Sequence, residues 1–372
     1  MSAPQQPSAA RGASPHREVV ALALAVAWVV VLSSAQYVVG GRLSVVPWLA
    51  LGPLAASLVL PWRRTAVVAV LSVAAVAVLS LEIGGDLATG LGVVRVLGSA
   101  ALAGFAVLSA SVRVQRERRI RAVTEIATVA QTAIQHPVPT QVGGLALASR
   151  YVSASADALV GGDLYDVVAT EQGVRVIVGD VRGKGLPAVH TAAAVLSAFR
   201  HTAPLPAARL DDVARSVEDA VRGRLGPEDF VTAVFCDVHP DGTLDVVLCG
   251  HPSPLRLAAG RAPEAVAEHR SPPLGLGLDV CVETSVLGEG ERLLLFTDGL
   301  VEARAADGEF FDLARHRDLL APPASTTPEA LEADLDRLLA AVRAHVGGVV
   351  TDDLALLLLQ RAGAGAAGSP AR

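Results

Sequence analysis

Apolar positions along this chain follow two rhythms. Between residues 19 and 112 they form long runs, at 19–39, 44–62, 65–83 and 92–112, separated by short connections that hold turn formers and charges. A helix needs about 20 apolar residues to cross a bilayer, so each run predicts one membrane span. Beyond residue 140 the runs shorten and are rich in Val, Leu and Phe, which predicts strands at Val174–Gly179, Phe230–Asp237, Leu244–Cys249, Arg292–Phe296 and Leu354–Gln360. His239-Pro240-Asp241-Gly242 marks a hairpin turn between two of them. Helical periodicity occupies Ala188–His201, Leu210–Arg224 and Pro328–His345, with Pro187 and Pro328 where a first helical turn tolerates proline. Strand pairs followed by helices predict a layered α+β domain.

Between the two regimes, residues 114–135 read as a helix continuing out of the fourth span. Ile120, Val123, Ala127, Ala130 and Ile134 recur at spacings of three and four. That is the seam of a short coiled coil joining two copies, or a face packed on the chain's own domain. His136-Pro137-Val138-Pro139 ends this helix. The pattern thus divides the chain into a disordered N-terminus (1–17), four transmembrane helices (18–112), a linker helix (113–139), the α+β domain (140–361) and a disordered Gly/Ala/Ser/Pro tail (362–372).

Composition sharpens this picture. Mean hydropathy is +0.47, too high for a soluble enzyme, and the excess lies in the first third. Arg11 and Arg17 precede the first run, Arg63 and Arg64 separate the second from the third, and five arginines between 113 and 121 follow the fourth. Basic residues stay on the cytoplasmic side, so both termini are expected in the cytoplasm. A cleaved signal peptide ending near Ser33-Ser34-Ala35 is the competing reading of the first run, and it too leaves the C-terminal domain inside. No acidic or histidine residue sits mid-run, which argues against a transporter or proton pump. Arg95 lies near a helix end, where its side chain snorkels to the interface. Residues 1–121 carry 11 basic and 4 acidic residues, a balance of +7 that leaves −13 for the rest of a chain of net charge −6. An acidic domain is a poor nucleic-acid binder. The three cysteines lack Cys-x-x-Cys spacing, which argues against a zinc site or a disulfide framework and suits a reducing compartment.

Aspartates recur beside glycine at the ends of the expected strands. They occur in Gly161-Gly162-Asp163-Leu164-Tyr165-Asp166, in Gly179-Asp180-Val181-Arg182-Gly183-Lys184-Gly185, in Thr297-Asp298-Gly299 and in Thr351-Asp352-Asp353. Any one such cluster reads as a turn. Four of them would bring several carboxylates to one sheet edge, where like charges need a cation among them. With no Cys or His motif nearby the ligands are hard oxygens, which select Mg²⁺ or Mn²⁺. Gly179–Gly185 is not a nucleotide-binding loop, since Lys184 is followed by glycine and the glycine spacing fails. Lys184 is the only lysine beside 30 arginines.

Taken in order, GGDLYD, GDVRGKG with an apolar helix after it, FVTAVF, CGHPSP, FTDGLVEA and TDDLALLLL resemble the SpoIIE-type branch of the metal-dependent (PPM, protein phosphatase 2C-like) serine/threonine phosphatases. The resemblance covers about residues 130–361. It implies an α-β-β-α sandwich of two antiparallel sheets flanked by helices, with a centre of two Mn²⁺ or Mg²⁺ ions at one end. By the same resemblance, Asp163 and Asp180 are the catalytic ligands, Val181 offers a backbone carbonyl, and Asp298 and Asp352 complete the shell with Asp353 behind them. Two such ions acidify a water and neutralise phosphate oxygens, so no protein nucleophile is required. His251 is a candidate general acid or a structural residue of its loop. Arg182, where the family usually has a small residue, is a candidate for substrate preference. The implied substrate is a phosphorylated anti-anti-sigma factor with a STAS domain. A non-catalytic membrane scaffold is the alternative, which loss of one carboxylate would favour, and none is missing. A histidine kinase is excluded by the lack of an Asn-containing ATP motif, since the chain has no Asn.

Overall fold

The computed structural model describes residues 15–39, 46–82, 90–134, 136–153, 161–226, 228–277, 279–321, 327–348, 350 and 352–361. The expected disordered termini lie almost wholly outside these residues; helix α1 already begins at Pro15. The chain divides into two compact units, Met1–Ala122 and Val123–Arg372.

The first unit holds α1 (Pro15–Val39), a 3₁₀ turn (Val46–Ala50) leading into α2 (Leu51–Val59), α3 (Trp62–Glu82) and the first part of α4 (Gly90–Ile134). Three helical stretches are long and apolar enough to cross a membrane by length and composition: 16–36, 62–82 and 90–120. The second run is shorter than expected. Leu60 precedes Pro61 and is extended, with φ −87° and ψ 148°, so the helix stops at Val59. The 3₁₀ turn and α2 together rise about 24 Å, against about 30 Å of bilayer hydrocarbon. They nevertheless return the chain to its starting level. Arg64, at the start of α3, pairs with Glu18 near the start of α1 at 2.8 Å. Arg113 of α4 donates to the carbonyls of Ser57 (3.2 Å) and Leu60 (2.9 Å) at the end of α2. The beginnings of α1 and α3, the end of α2 and Arg113 therefore share one end of the bundle.

The second unit is a four-layer sandwich. One sheet runs β1 (Gln141–Val142), β2 (Leu145–Val152), β11 (Leu354–Arg361), β10 (Arg292–Phe296), β7 (Leu255–Leu257), β8 (Glu264–Ala265). The other runs β3 (Leu164–Thr170), β4 (Gly173–Val181), β5 (Val231–Val238), β6 (Thr243–Cys249), β9 (Glu283–Val286). Every pairing within them is antiparallel. Alternation explains the runs of apolar residues, because successive side chains point to opposite faces and both faces are covered. On β11, Ala355, Leu357 and Leu359 enter the core between the sheets, with Val174, Val176 and Val178 of β4 opposite. Leu354, Leu356 and Leu358 point outward against α7 (Pro328–His345). Ile177 and Val181 of β4 point outward against α5 (Leu186–Thr202) and α6 (Leu210–Arg222).

Two buried arginines fasten strands to the outer layers. Arg292 on β10 reaches Asp334 of α7 at 2.6 Å. Arg175 on β4 grips Asp237 of β5 through Nε and Nη2, each at 2.6 Å, and donates to the carbonyls of Ala203 and Ala208 between α5 and α6. Breaking a buried pair strands an uncompensated charge, at a cost of about 3–5 kcal/mol. For a domain of this size that corresponds to about 10 °C in Tm. Asp237→Ala is expected to show that loss by calorimetry. The apolar double variant Arg175→Met, Asp237→Leu is expected to lose less.

Candidate metal centre

Antiparallel pairing brings the four aspartate clusters to one end of the sandwich. Leu164 of β3 pairs with Gly179 of β4, so Asp163, just before β3, lies beside Asp180 near the end of β4. Phe296 of β10 pairs with Leu356 of β11, so Asp298, just after β10, lies near Asp352 and Asp353, just before β11. Thr297 closes the gap between the sheets. Its Oγ1 donates to Asp163 Oδ2 (2.7 Å) while accepting from the Ala355 amide (2.9 Å), and its own amide donates to the Ala355 carbonyl (3.1 Å). Residues from both sheets therefore meet at one point.

Three glycines allow that approach. A Cβ on Gly161 would lie 1.8 Å from Asp353 Oδ2, and one on Gly299 would lie 2.0 Å from the Asp353 carbonyl oxygen. A Cβ on Gly162 would lie 2.3 Å from the Val181 carbonyl oxygen and 2.7 Å from Asp180 Oδ1. Val181 O and Asp180 Oδ1 therefore border the same space. These glycines are needed for close packing of carboxylates and carbonyls. In the sequence these glycines stand out only as neighbours of the aspartates. Gly162→Ala must displace backbone, so it is expected to lose about 1–3 kcal/mol of stability by overpacking. It is also expected to lose calorimetrically measured Mn²⁺ binding.

The crowding shows in the acidities. Burial, and then the charge of Asp180, hold Asp163 well above the usual carboxylate range. Burial and then Asp298 push Asp180 up to about 7, against a shared hydrogen bond with Asp163. Burial, then Glu302 and Asp352, raise Asp298. Glu302 is an acid of the site that sequence reading missed; its signal is the Glu of FTDGLVEA. Lys184 Nζ meets Asp352 Oδ1 at 2.8 Å, with both side chains about half exposed. Among the described residues no group of three or more His, Cys, Asp and Glu side chains forms a ready-made metal-binding set. A hard cation such as Mg²⁺ keeps several waters and takes one or two carboxylates. An acidic rim of buried, mutually repelling carboxylates and a nearby carbonyl oxygen fits such ions.

His251 lies fully buried between the sheets. Its Nε2 is 3.1 Å from the Phe296 carbonyl, which fixes the proton there, and its Nδ1 then accepts from Thr232 Oγ1 (3.0 Å). Burial lowers its pKa to about 4, so the ring is neutral near pH 7 and its one proton is engaged by the Phe296 carbonyl. Between the two roles the sequence left open, this geometry is structural. His251 ties the end of β10 to the strand beside Asp180. The Arg182 guanidinium sits over the Phe230 ring and donates to the Glu228 carbonyl, outside the carboxylate cluster. Burial raises the Cys236 thiol and pushes Cys249 up to about 12, so neither is a thiolate near pH 7.

With this geometry in view, the family model for stage II sporulation protein E (SpoIIE) matches residues 170–362. The chain belongs to the SpoIIE family. Its C-terminal domain has the PP2C-type fold. The SiaA-PP2C domain of Pseudomonas aeruginosa has the same fold, with TM-score 0.55 at 18% identity over 66% of this chain and 98% of that one. The RsbU and RsbW domains of Rv1364c from Mycobacterium tuberculosis are 26% identical, with TM-score 0.48, over 60% of this chain. This chain spans 61% of that structure. The SpoIIE-family match begins after Asp163, so the fold and not the family model brings that residue to the cluster.

Proposed function

We propose that this SpoIIE-family chain hydrolyses phosphoserine or phosphothreonine on a partner protein, with two Mn²⁺ or Mg²⁺ ions at the end of the sandwich. The observation that carries this reading is the meeting of Asp163, Asp180, Asp298, Asp352 and Asp353 from four separate strand ends. In it, Asp163 and Asp180 are the central ligands and the Val181 carbonyl stands beside them. Asp298 and Asp352 complete the set, and Asp353 supports it from the buried side. When bound, the ions supply charge that neutralises phosphate oxygens and acidifies water. The protein's own part is to hold the carboxylates crowded and oriented, with Thr297 fixing Asp163. No side chain is needed as nucleophile, in keeping with the raised cysteine thiols.

The partner in this reading is a phosphorylated regulator of the anti-anti-sigma, STAS-domain type, presented in the cytoplasm to a membrane-held enzyme. Shared placement of Glu18, Arg64, Leu60 and Arg113 at one bundle end supports four passes with both termini on one side. The arginines there support the cytoplasmic side. Val123, Ile126 and Val129 on α4 are exposed and supply an apolar face for a homodimer, whereas Ile134 packs against Val189 and Leu186 of its own domain. The −13 balance beyond residue 121 opposes nucleic-acid binding.

The test is phosphate release by the full chain in detergent, with Mn²⁺ or with chelator, from a generic phosphate ester and from phosphorylated STAS proteins of the same cell. Metal-dependent release is expected. A folded, manganese-loaded chain that cleaved neither substrate would end the reading.

A further inference from the structure

We infer that the groove between α3 and α4 binds an anionic glycerophospholipid, with its headgroup at Arg118 and its acyl chains along the two helices. The groove is a cavity of about 990 Å³ within the first unit, large enough for a substantial apolar ligand. Its walls are small or aliphatic, among them Ala69 and Ala77 on α3 and Ala100, Ala103 and Gly104 on α4. Small residues alone would serve another helix equally well, so the end of the groove decides the occupant. Trp62, Gln115 and Arg118 line that end.

The charges there are not equivalent. Arg64 is paired with Glu18 and Arg113 with Glu117, each at 2.8 Å. Arg63 rests over the Trp62 ring, 5.5 Å from its centroid. Arg118 lines the groove with no carboxylate partner among the described residues. A guanidinium beside an amide and an indole, at the mouth of an apolar channel, complements a phosphate diester attached to hydrocarbon. Tryptophan at a helix end also suits the level of lipid headgroups. The occupant is therefore a lipid with net negative charge, such as phosphatidylglycerol, in preference to a zwitterionic one.

The experiment uses the full chain reconstituted in vesicles of phosphatidylcholine with phosphatidylglycerol, extracted mildly and weighed by native mass spectrometry for retained lipid. The native chain is expected to retain phosphatidylglycerol in preference to phosphatidylcholine. Arg118→Gln is expected to reduce that preference about fivefold, the factor one arginine contributes near an anionic surface. Arg116→Gln removes the same charge one residue-pair away on α4, outside the groove lining, and is expected to change it far less. A Cβ on Gly104 meets nothing within 4 Å, so Gly104→Leu projects its side chain from an open position on the groove wall and is expected to lower retention of both lipids. Equal losses in the two arginine variants would overturn the proposal, since the attraction would then belong to the whole basic surface. Unchanged lipid retention with a lost dimer in Gly104→Leu would overturn it too, because the groove would be holding a second copy's helix.

Discussion

Asp180→Asn is expected to lower metal-dependent phosphate release by about 10²–10³-fold, the order seen when one preorganised polar group is removed from a reacting centre. The amide keeps the size of the carboxyl group and fills the same space beside Gly162 and the Val181 carbonyl. It removes one negative charge from a group that burial and Asp298 already push up to about 7. The metal-free fold should therefore tolerate the change or gain slightly, since a repulsive interaction has gone. Loss of turnover with an unchanged or higher metal-free Tm separates a ligand role from a structural one. Near-native turnover in this variant would take Asp180 out of the proposed metal shell.

Without metal, the full chain should lose thermal stability as pH rises from about 6.5 to 8.5. Asp163, Asp180 and Asp298 all have folded pKa values above the ordinary 3.8. A carboxyl group raised in the folded state binds protons more tightly there than in the unfolded chain. Its contribution to stability is full below the unfolded pKa and is lost as pH climbs through the folded value, about 7 for Asp180. His251 has the opposite sign. Its folded pKa is lowered to about 4 from 6.5, so its contribution is lost only as pH falls below 6.5. The window above 6.5 therefore isolates the carboxylates. Mn²⁺ or Mg²⁺ binds the deprotonated cluster and should flatten or reverse the slope. At a hundred times its Kd, a cation adds about 2.7 kcal/mol. Calorimetry with chelator and with metal checks this. A metal-free Tm that rose across that window would mean the carboxylates are not crowded as described.

Some of this was legible in the chain itself and some was not. The span of α7, Pro328–His345, follows from helical periodicity with a proline at its start, and Thr327 caps it by accepting from the Ala330 amide. β10 and β11 are visible as apolar runs. Short pieces such as β7, β8 and β9 carry too few apolar residues to stand out from loops, and they exist because a neighbouring strand edge offers hydrogen bonds. The second membrane run looked like the others because hydropathy counts residues and not conformation. Pro61 imposes an extended Leu60 and cuts the helix short. Glu302 was passed over because its role depends on Asp298, which it follows by one helical turn's worth of residues. The tasks of Gly161, Gly162 and Gly299 depend on what lies across from them, and no local pattern records that.

Local chemistry was enough to determine the apolar spans, the strand and helix types, and the carboxyl-glycine motifs with their hard-oxygen character, because each depends on residues within a few positions of one another. Tertiary structure decided the rest. Long-range antiparallel registry, with β3 against β4 and β10 against β11, carries Asp163, Asp180, Asp298 and Asp353 from sites up to 190 residues apart to one edge. Whether their charges oppose or reinforce one another depends on distance and burial, which only the packed sheets set.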